Sequence, residues 1–181
     1  MVGIEGTFHF DTEINDLIKA ASAAARENNY DAAIEIMKDA LEKIYCSDGS
    51  YSFSTYVKIL PYFQKAGRYG EAIKFADKEL IPKLVEDYDK STLTEKAFIC
   101  LYVGKVFEKL ALNAKRANKV EDEVFFTGRA REMEDSYLKL IDVGKTDDLK
   151  REFKEAIEVF GEDHNCWPEV LKRKFQPIIG V

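Results

Sequence analysis

Asn28-Asn29-Tyr30-Asp31-Ala32-Ala33-Ile34 and Ala66-Gly67-Arg68-Tyr69-Gly70-Glu71-Ala72-Ile73 are two versions of one phrase. Each sets a small turn-forming stretch before an aromatic and then an Ala-Ile pair, and each opens a segment with apolar residues at helical spacing. One helix ends, the chain turns, and a second helix starts: this is an antiparallel helical hairpin, written twice. The expected fold class is all-α.

Working outward, the first helix starts after Asp11 or Thr12, carries Ile14, Leu17, Ile18, Ala21 and Ala24, and ends near Asn28. The second places Tyr30, Ala33, Ile34, Met37, Ala40, Leu41 and Ile44 on one stripe, and Ser47-Asp48-Gly49-Ser50 breaks it. The third holds Tyr56, Ile59, Leu60 and Phe63, and the fourth runs from Tyr69 through Leu80 and Leu84 to Tyr88. Pro61 lacks an amide donor and crowds the preceding turn, so the third helix must kink or begin late; Pro82 must kink or interrupt the fourth. Thr92 with Glu95 announces a fifth helix, apolar on nearly every face from Ala97 to Leu112 and therefore expected to be central. The sixth carries Phe126, Ala130, Met133, Tyr137, Leu140 and Ile141, with Gly144 as its expected stop. Thr146 is then the cap of a seventh, with Leu149, Phe153, Ile157 and Phe160 inward, and Pro168 opens a short last helix bearing Val170, Leu171 and Phe175. Only Ile4 to Phe10 has a strand-like pattern.

The 181 residues suit one domain or two tightly packed halves. With 46% hydrophobic and 33% charged residues and four prolines, the composition is that of a helix-rich folded chain. The formal charge of -6 argues against nucleic acid as the main partner. Cys46, Cys100 and Cys166 are widely spaced and odd in number, as expected in a reducing compartment. No leader pattern or membrane span is read, so the expected location is cytoplasmic.

Aligned on Ala33 and Ala72, the hairpins resemble tetratricopeptide repeats, which place small residues where helices cross and large ones between. In the first unit the pattern's Trp, Leu, Gly and Tyr positions hold Leu17, Ala20, Ala21 and Ala24, with Met37 at the later Phe position. The second unit has Tyr56, Ile59, Leu60 and Phe63, with Ala76 at that later position. The two alanines lie 39 residues apart, against a usual period of about 34, which leaves an insertion around Cys46 to Phe53. Val103-Gly104-Lys105-Val106-Phe107 gives a third first-helix pattern. Arg116 falls where its alanine is expected and Ala130 is the next candidate, so the third hairpin must have longer arms.

The resemblance spans roughly residues 11 to 141. It implies a right-handed stack of antiparallel hairpins, seven to eight helices in one domain over 1–181: hairpins at 11–46 and 53–88, an extended one at 92–143, and capping helices at 146–176. In such repeats the first helix of each hairpin lines a concave groove. The matching positions here are Asn15, Lys19, Ser22 and Arg26, then Ser54, Lys58, Gln64 and Lys65, then Lys105 and Lys109. Every charge among them is basic, so the implied partner is a protein or peptide segment of acidic character. The carboxylate clamp of chaperone-binding members is not reproduced, because Ile18, Ser22 and Lys58 stand at its Lys, Asn and Asn positions.

Candidates for chemistry are few. His9 and His164 are the only histidines, neither follows a Glu at Glu-x-x-His spacing, and His164-Asn165-Cys166 has no second ligand pair nearby, so no metal or cofactor is expected. Cys100, among Phe98, Ile99 and Leu101, reads as a core thiol. Lys115, Arg116, Lys119, Arg129 and Arg131 form a second basic cluster near a helix end, where cations ordinarily offset the helix dipole. Lys172-Arg173-Lys174 reads as a solvated tail. The expectation is a non-enzymatic interaction scaffold; the alternatives are a ligand-binding enzyme or sensor with a pocket between the fifth and sixth helices, or a self-associating structural subunit.

Overall fold

A computed structural model describes residues 12–47, 51–86 and 92–180; Ile4 to Phe10, His9, Asp11, Asp48 to Ser50 and Tyr88 lie outside them. The described residues form helices in the order α1 (Thr12–Arg26), α2 (Tyr30–Tyr45), α3 (Phe53–Tyr56), α4 (Ile59–Lys65), α5 (Tyr69–Phe75), a π turn (Ala76–Leu80), α6 (Ile81–Glu86), α7 (Leu93–Arg116), α8 (Val120–Phe160), a 3-10 turn (His164–Cys166) and α9 (Glu169–Ile179). No strand occurs among them, and the fold is all-α.

The quoted turns are built alike, and a third copy accompanies them. Asn28, Gly67 and Asn118 all take positive φ, at 60, 75 and 55°. After each, the next amide reaches back five residues: Asn29 to the Ala24 carbonyl, Arg68 to Phe63 and Lys119 to Ala114, at 2.9, 2.8 and 2.9 Å. The positive-φ residue itself donates to the third carbonyl before it, in Ala25, Gln64 and Lys115. This paired closure uses up carbonyls that a helix end leaves bare, and it needs a residue that tolerates the left-handed region, which Gly and Asn do. The third turn, Ala117-Asn118-Lys119-Val120, was hidden in the sequence because Val120 replaces the aromatic and Glu123 stands where Ala33 and Ala72 stand. The alignment of Arg116 or Ala130 with those alanines is therefore corrected.

Both prolines act as their chemistry requires. The third helix splits, and Pro61 sits in the first turn of the late-starting α4, where its missing amide has no intrahelical role. Ahead of Pro82 the helix widens into the π turn, in which the Ile81 amide bonds the Ala76 carbonyl five residues back. Thr92 caps α7 through its hydroxyl, which accepts from the Glu95 amide at 3.1 Å.

The expected stop at Gly144 is overturned. α8 runs unbroken to Phe160, and the boundary between 92–143 and 146–176 falls inside it. Gly144 is buried and its absent side chain admits Thr94: a Cβ there would lie 2.6 Å from the Thr94 amide nitrogen. Thr146 is no cap, since its hydroxyl donates to the Asp142 carbonyl one turn back. The true stop is Gly161, at φ 78°, whose amide closes on Ile157. Pro168 is the N-cap of α9, one residue before the helix. Val170 is 76% exposed, and Phe160 and Leu112 are also exposed, so these three do not face a core.

The described chain divides into two compact units, one within 1–87 and 102–132, the other within 88–101 and 133–181, and α7 and α8 contribute to both. In the first unit α1 packs along α2, and α2 packs on α4. Its core joins Ile34, Met37 and Leu41 of α2, Ile59, Leu60 and Phe63 of α4, and Val106, Leu110 and Phe126. Asn113, 1% exposed, donates to the Leu60 carbonyl at 2.9 Å and so pins α7 to α4. The second unit buries Ala156, Trp167 and Phe175 with Leu149, Phe153 and Leu171 around them.

Tyr69, the aromatic of the second turn, donates its hydroxyl to Asp122 of α8 at 3.0 Å, and burial with this bond pushes its phenol above the ordinary value of about 10. A raised phenol favours the folded state fully below that ordinary value and loses the contribution as pH climbs through the folded one. Tyr69→Phe is expected to cost about 1 kcal/mol near neutral pH. The gap between native and variant urea midpoints should narrow above pH ~10.

Candidate functional site

All the basic-face candidates lie in the first unit. α1 carries Asn15, Lys19, Ser22 and Arg26; Ser54 lies in α3; Lys58 directly precedes α4, which holds Gln64 and Lys65; α7 carries Lys105 and Lys109. Their side chains are not equivalent. Lys19 meets Asp16 at 3.2 Å and Lys105 meets Glu108 at 2.7 Å, each three residues away on its own helix. Ser22 spends its hydroxyl on the Ile18 carbonyl at 2.7 Å, and Ser54 shares a hydroxyl bond with Ser52 at 2.6 Å. Lys65 lies over the Tyr30 ring, 5.4 Å from its centroid, linking α4 to the start of α2. Asn15, Lys58 and Gln64 are half-buried, while Arg26 and Lys109 are exposed. Arg26, Lys58 and Lys109 have no carboxylate in ion-pair range among the described residues.

The echoed turns also touch. Arg68 bonds Asp31 of the first echo at 2.8 Å and grips both carboxylate oxygens of Glu71, at 2.8 and 2.7 Å, with its guanidinium 5.5 Å from the Phe63 ring centroid. The Arg68 bonds hold Glu71 below the usual carboxylate range. Sequence reasoning took this turn only as a connector. The signal for a bridge was there: Arg68 precedes one helix by a single residue, and Asp31 opens the other.

Nucleophile and ligand candidates are scattered. Cys100 is half-buried, and burial pushes its thiol up. Cys166 is exposed, yet its thiol donates to Asp163 at 3.4 Å and that carboxylate raises it, which disfavours the thiolate. No three His, Cys, Asp or Glu side chains gather as a metal site among the described residues. No helix there is long and apolar enough to cross a membrane.

The second unit holds a cavity of about 260 Å³ lined by His164, Asn165, Lys172, Arg173, Gln176 and Ile179. The fold makes it in steps. Gly161 ends α8, and its carbonyl accepts the Trp167 indole at 2.9 Å. Asp163 caps the 3-10 turn through the Asn165 amide at 3.1 Å, and the buried Trp167 ring then leads into α9. Lys172-Arg173-Lys174 is therefore part of a helix and not a tail: Lys172 pairs with Glu169 at 2.9 Å and Lys174 with Glu152 at 2.6 Å. The sequence showed these residues and the His164 turn as unrelated fragments, because it is the chain reversal through Trp167 and Pro168 that brings them together.

Neither a family model, nor a curated protein, nor a solved structure matches the chain.

Proposed function

We infer that the chain is a non-enzymatic, tetratricopeptide-like scaffold that stacks its hairpins right-handedly and binds an acidic protein segment on its first helices. The observation that carries the reading is that Arg26, Lys58 and Lys109, on the first helices of the hairpins, have no ion pair among the described residues of a protein of net charge -6. Cations on α1, before α4 and on α7 add their potentials and draw an acidic strand. The pairs at Lys19 and Lys105 are exposed, short-range and worth only about 0–1 kcal/mol each, so a ligand carboxylate can displace Asp16 or Glu108 at little cost. The three matching turns support the repeat reading, since one closure recurs at Asn28, Gly67 and Asn118, each time between two helices. A reducing interior is the compartment in which such an adaptor with unpaired cysteines would work.

The test is a fluorescein-labelled Glu-rich decapeptide titrated into the native chain and into Arg26→Glu/Lys58→Glu/Lys109→Glu. The expected result is salt-sensitive binding by the native chain, weakened about tenfold or more in the triple variant, with unchanged far-UV circular dichroism. Equal affinity for both proteins would sink the groove assignment.

A further inference from the structure

The cavity beside α9 has features that a structural hollow has no need of. Its charged lining is Lys172 and Arg173, and no carboxylate of the described residues contributes to it. Glu169 holds Lys172, whereas Arg173 has no ion pair among the described residues. The Nε2 atom of His164 has no hydrogen-bond partner among the described residues and, with almost no accessible surface, is closed off from the cavity. The His164 ring is also fixed in place: Trp167 meets it edge-on at 4.8 Å and Phe153 packs at 5.4 Å. Ile179 adds an apolar wall, and the amides of Asn165 and Gln176 add polar edges.

We propose that this cavity binds a small organic acid, a carboxylate carried on a compact apolar or aromatic body. The planar guanidinium of Arg173 matches the two oxygens of a carboxylate. The wall of Ile179 takes the apolar body, the usual division of labour in a pocket with few polar groups. A single uncommitted guanidinium suits a monoanion; a phosphate dianion would call for more donors than the lining provides. The site lies wholly within the second unit and does not depend on the peptide-binding face of the first.

Trp167 is the only tryptophan of the chain, so its emission reports on the His164 ring directly. Benzoate titrated into the full chain is expected to change that emission saturably, and benzamide, equal in shape but neutral, to bind about tenfold more weakly or less. Arg173→Ala removes an exposed side chain and should weaken benzoate about tenfold while leaving circular dichroism unchanged. Arg173→Gln repeats the test with the side-chain length nearly kept. No saturable change with benzoate, equal binding of benzamide, tighter binding of inorganic phosphate than of benzoate, or undiminished benzoate affinity in both Arg173 variants would each overturn the proposal.

Discussion

Gly144→Ala is expected to destabilise the second unit by about 1–3 kcal/mol, although an alanine in the middle of a helix ordinarily helps. The added Cβ would stand 2.6 Å from the Thr94 amide nitrogen, 2.7 Å from its hydroxyl oxygen and 2.9 Å from the Leu93 carbonyl carbon. Two of these are backbone atoms of the first turn of α7, which the Thr92 cap fixes. They cannot swing aside as a flexible side-chain end would, so the helices must separate. Gly128 is the internal control. It lies in the same helix, is exposed, and has nothing within 4 Å of a Cβ. Gly128→Ala should therefore stabilise by about 0.5–1 kcal/mol through helix propensity alone. Opposite shifts of the urea midpoint in the two variants establish the close approach at Gly144; a stabilised Gly144→Ala would refute it.

Phe63→Ala is expected to cost about 3–5 kcal/mol, a large share of the roughly 5–15 kcal/mol that holds a domain folded. Phe63 is 2% exposed and packs against Phe75 with ring centroids 5.7 Å apart. Lys38 of α2 and Arg68 of the second turn lie over the ring, at 5.9 and 5.5 Å from its centroid. Removing it opens a cavity and also takes away the surface on which Arg68 rests while bonding Asp31 and Glu71. Phe125→Ala is the comparison, because Phe125 is 58% exposed. Its loss should move stability by less than about 1 kcal/mol. Thermal and urea unfolding of both variants check the ranking, and equal shifts would show that Phe63 is not the centre of this core.

Much of the fold was legible in the chain. The stripe from Ala33 to Ile44 is buried at every position read as inward, because a helix with one apolar face has a single way to satisfy it. Pro61 and Pro82 acted where the missing amide and the ring demanded. Glycine was harder to read. Gly144 and Gly161 are the same residue in sequence terms, and one lies inside a helix while the other ends it. What separates them is Thr94, fifty positions away, which sequence spacing cannot place against Gly144.

The candidate sites divide the same way. The basic residues were found because like charges at helical spacing are visible in one dimension, but the spacing does not say that Lys19, Lys65 and Lys105 engage Asp16, Tyr30 and Glu108 while Arg26 and Lys109 stay open. The cavity at His164 left no mark, since its residues come from two segments whose meeting depends on the buried Trp167 between them.

By itself, then, the sequence determined that the chain is all-α, where most helices start, and which stripes turn inward, because propensity, capping and periodicity act over one or two turns. Only the tertiary structure decided which glycine is a stop, that Asn118 repeats the closure of Asn28 and Gly67, and which polar atoms are left without partners. Those outcomes depend on contacts between segments far apart in the chain, and such contacts override local preference wherever a close approach or a buried atom is at stake.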